Sequence, residues 1–243
     1  MKVLVLRFDA PLVSFGAPAI DQNGVVQVFP ALSMLTGLLA NALGWDHRDA
    51  DRLDVLQERV RYAARIDRQG EALVDYQSVD LGSDWMLPEK AGWTTRGQIA
   101  GRGKSENARG THIRLRHYRA DSLHTVALTL IEDQVPTIND VAEALRSPAR
   151  PLFIGRKCCL PAAPILLNVV EGTSLVGVLA SIPRPRRSDT GRLRASWDGD
   201  DSGAAGESRV IAVTDERDWR SRVHVGRRLM REGHVDPPEA ARV

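Results

Sequence analysis

The sequence contains no apolar run near the roughly 20 residues that a transmembrane helix needs. The N-terminal apolar run ends at Arg7, which is too short for a signal peptide and is typical of a first β-strand. Cysteine is scarce, since Cys158 and Cys159 are the two present, and adjacent thiols form neither a useful disulfide nor a zinc site alone. We therefore expect a cytoplasmic protein with ordinary thiols, no membrane association and no cofactor.

Signatures of common enzyme classes are also absent. Gly103-Lys104-Ser105 resembles the end of a phosphate-binding loop, but Gln98 stands where that loop requires glycine. The six histidines form no His-x-x-x-His pair, and the chain has no Gly-x-Ser-x-Gly elbow. We therefore do not expect ATP hydrolysis, a structural zinc site or hydrolase chemistry of the elbow type.

Positive charge is concentrated in one segment, although the net charge of the 243-residue chain is only +2. Residues 96–119 hold one acid, Glu106, and seven cations: Arg96, Arg102, Lys104, Arg109, Arg114, Arg116 and Arg119. This segment carries +6, and the rest of the chain sums to −4. Such clustering favours a polyanion partner, because affinity for nucleic acid comes from local phosphate contacts. The alternative is a solvated basic loop without a partner.

Hydrophobic periodicity predicts an α+β fold. Helical spacing predicts a helix from Leu32 to Leu43, a short second helix near residues 53–60, and a third that begins at Thr137 with Asp140 at N3. The predicted core strands are residues 2–8, 60–68, 72–79, 125–131 and 151–157. With residues 72–79 as part of an insertion, the order is βαββαβ, which is the ferredoxin-like (RRM-like) arrangement. Leu38 and Leu128 are expected in its core.

A basic β-hairpin is predicted at residues 94–119, inserted in this core. Residues 94–98 and 111–119 would be its strands, joined by a glycine-rich loop at 101–110. Strand alternation places His112, Arg114, Arg116 and Tyr118 on one face, with Ile113 and Leu115 on the other. The predicted domains are a ferredoxin-like domain at 1–160, and at 161–243 a smaller β-rich region with a flexible loop at 184–208.

Two further groups are candidate functional residues. Arg156 and Lys157 follow Gly155, which allows close backbone approach, so they could meet phosphate or could be solvated charges on a strand edge. The side chains of Lys104, His112, His117 and Tyr118 include every type that metal-independent RNA cleavage needs. His112 and His117 have opposite strand parity, however, which favours RNA contact without chemistry.

Four ordered segments in the first two thirds of the chain resemble the CasD subunits of type I-E Cascade complexes. They are Leu6-Arg7-Phe8-Asp9-Ala10-Pro11-Leu12-Val13-Ser14-Phe15-Gly16, Phe29-Pro30-Ala31-Leu32-Ser33-Met34-Leu35-Thr36-Gly37-Leu38-Leu39, Asp75-Tyr76-Gln77, and Arg150-Pro151-Leu152-Phe153-Ile154-Gly155-Arg156-Lys157-Cys158-Cys159-Leu160-Pro161. Four matches in the expected order are more specific than any single motif.

This resemblance implies a ferredoxin-like core of the RAMP superfamily, with the basic hairpin as a protruding thumb. It implies a non-catalytic subunit that caps the 5′ handle of the CRISPR RNA, contacts CasC backbone subunits and the large CasA subunit, and meets target DNA only through the complex. The implied RNA-binding residues are Arg96, Arg102, Lys104, Arg109, Arg114, Arg116, Arg119, Tyr76, Arg156 and Lys157. The alternative is a metal-independent endoribonuclease that processes precursor CRISPR RNA, as the related subunit does in type I-C systems.

Overall fold

The structure is a computed structural model that describes residues 1–17, 23–80, 92–93, 99–100, 111–131, 133–201, 203 and 207–239. Its helices are α1 (Leu32–Ala42), α2 (Ala50–Arg59), α3 (Ile138–Arg146) and α4 (Leu175–Ser181). Its strands are β1 (Lys2–Asp9), β2 (Leu12–Val13), β3 (Asn23–Gly24), β4 (Val60–Arg68), β5 (Glu71–Asp80), β6 (Gly92–Trp93), β7 (Ile99–Ala100), β8 (Thr111–Ala120), β9 (Leu123–Leu130), β10 (Leu166–Glu171), β11 (Leu193–Asp198), β12 (Ser208–Val213), β13 (Glu216–Arg217), β14 (His224–Val225) and β15 (Arg228–Val235). Helices and mainly antiparallel strands confirm the predicted α+β class. No helix within the described ranges is long and apolar enough to cross a membrane.

Seven strands form one antiparallel sheet in the order β10-β1-β9-β4-β11-β15-β12. Leu4, Leu6 and Phe8 of β1 pack on the side of α1, α2 and α3, whereas Val3 and Val5 pack on the side of α4. These five side chains are at most 1% exposed. Burial on both faces explains why β1 is a continuous apolar run in the sequence.

The first part of the chain supplies four neighbouring strands of this sheet. After β1, the chain forms α1 and α2, then β4, the β5–β8 insertion, β9, α3 and β10. In space β1 lies between β10 and β9, and β9 lies between β1 and β4. Leu38 and Leu128, predicted in the core, are 4% and 0% exposed, which confirms both placements.

The predicted helix ends are confirmed at α1 and α3. Gly44 follows α1 with a φ of +78°, a left-handed conformation that glycine adopts without strain. At the start of α3 the Asp140 N–H donates to the Thr137 hydroxyl at 3.2 Å, and the Thr137 N–H donates to the Asp140 carboxylate at 2.8 Å. This reciprocal pair is the capping box that the sequence predicts.

The last predicted core strand, residues 151–157, is wrong, and β10 takes its place at the edge of the sheet. Pro151 has no N–H to donate, and Gly155 has a φ of +91°, outside the strand region. The Ile154 N–H donates to the Cys159 carbonyl at 2.8 Å, so the chain turns back on itself. Local hydrogen bonding therefore replaces pairing with the sheet.

The basic strand β8 pairs with a different partner from the one predicted. It pairs antiparallel with β5 along its whole length. Its other edge carries the short strands β2 and β3. Residues 94–98, the first strand of the hairpin predicted at 94–119, lie outside the described residues, so that strand stays a prediction.

The loop predicted at 184–208 contains a central strand, β11. Leu193, Ala195 and Trp197 alternate on the α4 side of the sheet and are at most 3% exposed. β11 lies between β4 and β15, and a Cβ at Gly233 of β15 would approach Trp197 Cη2 to 2.7 Å. The absence of a side chain at Gly233 leaves room for the Trp197 indole. Strands that are distant in the sequence therefore bury this largely polar segment.

Strands from both sides of the predicted domain boundary at residue 160 belong to one sheet. β10 pairs with β1, and β11 pairs with β4. Residues 161–243 therefore complete the sheet that residues 1–160 begin.

Candidate nucleic-acid interface

One face of the β5–β8 hairpin carries Arg114 and Arg116, and we call it the basic face. Arg114 lies opposite Gln77 and Arg116 lies opposite Asp75, so these four side chains share that face. Arg114 is exposed and Arg116 half-buried, and neither forms an ion pair with a carboxylate of the described residues. The register confirms the predicted alternation along β8.

The opposite face of the hairpin is less basic. Val74 and Tyr76 are 51% and 62% exposed, which leaves the Tyr76 ring open to solvent. Arg119 lies on this face, opposite Ala72. The predicted RNA-binding residues of β8 are therefore divided between two faces, with Arg119 turned away from the basic face.

Four predicted RNA-binding residues, Arg96, Arg102, Lys104 and Arg109, lie outside the described residues. Their roles stay predictions. They belong to the segment between Asp80 and Thr111, which are paired at the ends of β5 and β8. Whatever path this segment takes, it leaves and rejoins the hairpin at the same end.

Arg156 joins the segment after α3 to the base of the hairpin. Its Nη1 donates to the His117 carbonyl and its Nη2 to the Gly24 carbonyl, both at 2.8 Å. Its guanidinium lies 4.8 Å from the centre of the Tyr118 ring. Since backbone carbonyls carry no net charge, these hydrogen bonds do not neutralise Arg156, and no carboxylate of the described residues forms an ion pair with it. Lys157, the next predicted residue, is exposed.

A cleft of about 380 Å³ lies between α1, the basic face and the β13–β14 hairpin, and we call it the α1 cleft. Its wall includes Gly24, Ser33, Gly37, Asn41, Phe153 and Gly155. Its charged side chains are Arg116, Arg156 and Arg217, and no carboxylate lines it among the described residues. Three guanidinium groups without a lining acid form a site suited to phosphate, because guanidinium geometry matches phosphate oxygens.

Two larger cavities differ from the α1 cleft in charge. A cavity of about 640 Å³ beside β15 is lined by four arginines and by Glu58, Asp198, Asp200 and Glu216. Another of about 490 Å³ at the β12 edge is lined by three arginines and by Glu207 and Glu232. Since these carboxylates offset the cations, charge distinguishes the α1 cleft as the candidate site.

Arg217, Trp219 and His224 form the side of the α1 cleft that sequence reasoning missed, and we call them the C-terminal corner. Arg217 and His224 are cross-strand neighbours in the β13–β14 hairpin. The Arg217 guanidinium lies 5.4 Å from the centre of the Trp219 ring. A signal was present in the sequence, since residues 217–231 contain six arginines and one acid.

A buried ion network attaches the segment that carries this corner to α1. Arg228 pairs with Asp198 and, at 2.7 Å, with Asp215. The Asp215 carboxylate also accepts the Leu32 N–H at the start of α1 at 2.9 Å. The Tyr62 hydroxyl donates to the same carboxylate, and burial raises the pKa values of Tyr62 and Asp198. Arg228 is thus a structural cation, unlike the three arginines of the cleft.

The structure describes the side chains of two predicted nuclease residues, His117 and Tyr118, and the register places them on opposite faces of the hairpin. His112 pairs with Val79 in the register, and Lys104 lies outside the described residues. The Tyr118 hydroxyl lies 3.5 Å from Cys158 Sγ, and this hydrogen bond, with burial, raises the pKa of Tyr118. Within the described ranges no group of three or more His, Cys, Asp or Glu side chains could hold a metal ion.

Comparisons with known proteins agree on one family. A family model described as CRISPR-associated protein (Cas_Cas5) matches residues 3–231. CRISPR system Cascade subunit CasD of Escherichia coli (strain K12) is 27% identical over 175 residues, which cover 70% of this chain and 72% of the relative. A chain of a solved CRISPR RNA-guided surveillance complex has a TM-score of 0.69 and 22% identity, covering 97% of this chain and 91% of that chain. A crystal structure of a Cas protein has a TM-score of 0.61 and 22% identity, with 98% of each chain covered.

The family match extends from β1 into β15 and therefore includes the basic face, Arg156 and the C-terminal corner. The two solved structures share the fold over nearly the whole chain. Their similarity includes the C-terminal third, in which sequence reasoning found little that was diagnostic. The chain belongs to the Cas5 family of CRISPR-associated proteins.

Proposed function

We propose that this protein is a non-catalytic RNA-binding subunit of a CRISPR Cascade complex, and that it binds and caps the 5′ handle of the CRISPR RNA. The observation that carries the proposal is the α1 cleft, where Arg116, Arg156 and Arg217 line one cavity without a carboxylate among the described residues. Because Arg116 also belongs to the basic face, cleft and hairpin form one continuous basic surface. Single-stranded RNA is held by such phosphate contacts together with base stacking.

The proposal includes a ferredoxin-like core of the RAMP type with the β5–β8 hairpin as its thumb. The order β10-β1-β9-β4 supports this, because it places the fourth, first, third and second core strands side by side. The helices α1 and α2 connect the first pair of core strands in the chain, and α3 connects the last pair, which gives a βαββαβ unit. The hairpin is inserted between the second and third core strands.

The proposed protein partners are those that the family resemblance implies. The E. coli relative is a Cascade subunit by name, and a structural relative belongs to a CRISPR RNA-guided surveillance complex. On the proposed function, the chain joins CasC backbone subunits to the large CasA subunit in the cytoplasm. Target DNA reaches it only through the assembled complex.

Binding without chemistry is the proposal for the hairpin, since RNA cleavage needs an acid and a base on the same scissile phosphate. His117 and Tyr118 of β8 lie on opposite faces of the hairpin. The raised pKa of Tyr118 keeps its hydroxyl protonated at neutral pH, so the phenolate that would act as a base is not present, and the residue is 5% exposed. The endoribonuclease alternative therefore lacks a paired acid and base among the described residues of the hairpin.

The test replaces Arg114 and Arg116 together by Ala and measures binding to the CRISPR repeat RNA at several salt concentrations. Removing one phosphate interaction with a single strand should reduce the slope of log K against log salt by ~0.7, so the slope for the double variant should be smaller by about 1.4. The matched control is Arg146→Ala with Arg209→Ala, which removes the same charge from side chains engaged by Glu143 and Glu232.

An unchanged slope in the Arg114/Arg116 variant, with its melting temperature preserved, would exclude the basic face from the RNA interface. The same purified protein should leave the repeat RNA intact in the presence of EDTA. Specific cuts that end in a 2′,3′-cyclic phosphate would instead establish the endoribonuclease alternative.

A further inference from the structure

The β5–β8 hairpin is joined to the seven-stranded sheet through two short connections, which we call its root. Residues 69–70 connect β4 to β5, and residues 121–122 connect β8 to β9. The two connections touch each other, since an added Cβ at Gly70 would lie 2.4 Å from the Ala120 carbonyl oxygen and 2.7 Å from the Ser122 nitrogen. The hairpin therefore leaves the sheet at one narrow point, and a few residues there determine its angle.

A segment that is distant in the sequence, residues 184–189, binds this root, and we call it the strap. On the first connection, the Gln69 N–H donates to the Asp189 carboxylate at 3.0 Å. On the second connection, the Arg187 guanidinium pairs with the Asp121 carboxylate at 2.5 Å. The strap therefore contacts both connections of the root at once.

The other end of the strap is held by the C-terminal residues 236–239, which we call the tail. The Arg184 N–H donates to the Pro238 carbonyl at 2.9 Å, and the Arg184 guanidinium donates to the Pro237 carbonyl at 3.2 Å. The same guanidinium forms ion pairs of 3.3 Å and 3.4 Å with the two acids of the tail. Its Nη1 also donates to the Asp189 carbonyl at 3.3 Å. One arginine side chain thus joins the tail to the part of the strap that binds the root.

The contacts at the two ends of the strap differ in strength. At the root, the side chains of Arg187 and Asp121 are 54% and 61% exposed, and such surface ion pairs contribute little. At the tail, Arg184 is 7% exposed, so loss of its partners would leave a buried cation unpaired, which costs much more. A cavity of about 370 Å³ beside Asp121 and Asp189 leaves the root room to move. The tail is therefore the stronger of the two attachments.

We propose that the strap is a conformational latch that couples the tail to the angle of the β5–β8 hairpin. While the tail binds Arg184, the strap bridges both connections and fixes the root. Release of the tail leaves Arg184 without these partners, so the strap separates from the root and the hairpin changes its angle. The strap is the physical element that connects the two sites, as coupling between them requires. This inference concerns motion of the hairpin and does not depend on RNA binding.

Amide hydrogen exchange tests the latch by comparing the full chain with a chain that ends at Val235. The Gln69 N–H reports contact with the strap, because its acceptor is Asp189. The Asp121 N–H reports the root itself, because it donates to the Pro11 carbonyl at 2.9 Å. In the shortened chain both N–H groups should exchange at least about 10-fold faster, the effect of losing one hydrogen bond to a charged group.

A second variant, Arg187→Gln, changes one exposed side chain of the strap and leaves the tail intact. It should raise exchange at both reporters by up to about 5-fold, the effect of one surface ion pair. In the shortened chain the same substitution should add less than this, because the strap has already left the root. The matched control is Arg209→Gln, which removes another exposed arginine from a carboxylate with two arginine partners, Glu232, and should leave both reporters unchanged.

Three outcomes would overturn the proposal. Unchanged exchange at Asp121 in the shortened chain would mean that the tail is not coupled to the root. Equal acceleration in β1 and β9 would mean that the tail stabilises the whole fold and not the root. If the shortened chain does not fold, Arg187→Gln decides the matter, and unchanged exchange at Asp121 in that variant would show that the strap does not fix the root.

Discussion

His124 makes the stability of this protein depend on pH in a calculable way. It lies in β9 at 1% exposure, with its ring edge-on to Phe15 at 4.8 Å. Its Nε2 donates to the Val28 carbonyl at 3.2 Å, and its Nδ1 has no hydrogen-bond partner among the described residues. Burial lowers the pKa of His124 to about 4, and Arg119 contributes in the same direction. A second proton would place an N–H on Nδ1 without an acceptor.

The sign of the effect follows from proton linkage. Above pH 6.5 His124 is neutral in both the folded and the unfolded chain, so it adds no pH dependence to the free energy of unfolding there. Between pH 6.5 and 4 the unfolded chain binds a proton that the folded protein does not, so the free energy of unfolding falls as the pH falls. At about 1.36 kcal/mol per pKa unit, the loss by pH 4.5 is about 2.5 kcal/mol.

The assay compares urea unfolding of the wild type and His124→Gln at pH 7.5 and at pH 4.5. Glutamine does not titrate, and its amide can donate to the Val28 carbonyl. The wild type should therefore lose about 2.5 kcal/mol more than the variant between the two pH values. Burial raises the pKa values of Asp67 and Asp198, which acts in the opposite direction, but both carboxylates are present in both proteins and cancel. His47→Gln, at a side chain that is 57% exposed, controls for loss of a histidine.

A stability difference that stays the same at both pH values would refute this reasoning. It would mean that His124 accepts a proton in the folded state, either because water reaches Nδ1 or because the loop at Val28 does not cover the ring. A difference of the opposite sign would mean that a carboxylate faces the imidazole.

Two other predictions concern packing. Leu128→Ala should lower the free energy of unfolding in urea by about 2–5 kcal/mol, because the side chain is fully buried. The control is Leu167→Ala in β10, where the side chain is 44% exposed and the loss should be less than about 1 kcal/mol. Equal losses would contradict the placement of β9 inside the sheet. Gly155→Ala should destabilise the folded protein more than Gly191→Ala does. Both glycines have positive φ, so alanine is strained at either position. A Cβ at Gly155 would also lie 1.7 Å from the Ser14 carbonyl oxygen, whereas one at Gly191 meets nothing within 4 Å. The second change isolates the backbone strain of about 1–2 kcal/mol, and similar melting temperatures would show that the Ser14 contact does not exist.

Elements with a local pattern were predictable from the sequence. Leu32–Ala42 has apolar residues at helical spacing, and Thr137 with Asp140 forms a cap whose two partners are three residues apart. The buried strands β1 and β9 are apolar on both faces, which no helix at the protein surface would be. In each case the residues that determine the structure lie within one turn or one strand.

Features set by distant residues were missed. Leu193–Asp198 contains Arg, Ser and Asp, and it is a central strand only because β4 and β15 lie on either side. The partner of β8 was misjudged for the same reason, since β5 precedes it by some forty residues and nothing local distinguishes it from nearer segments. At the site, Arg116 and Arg156 were predicted, but Arg217 joins them only through the fold.

The order of strands in the seven-stranded sheet has a consequence for the folding of this chain during its synthesis on the ribosome. One edge of β1 pairs with β10, and one edge of β4 pairs with β11. In both cases the partner strand is synthesised much later than the strand it pairs with. The edge of β1 stays open until residue 171 has left the ribosomal tunnel, and the edge of β4 until residue 198 has done so; until then each could pair with other chains. The α1 cleft forms later than these strand pairs, because its residues Arg217 and Trp219 follow β11 in the chain. The nascent chain therefore cannot form this cleft before residue 219 has left the tunnel.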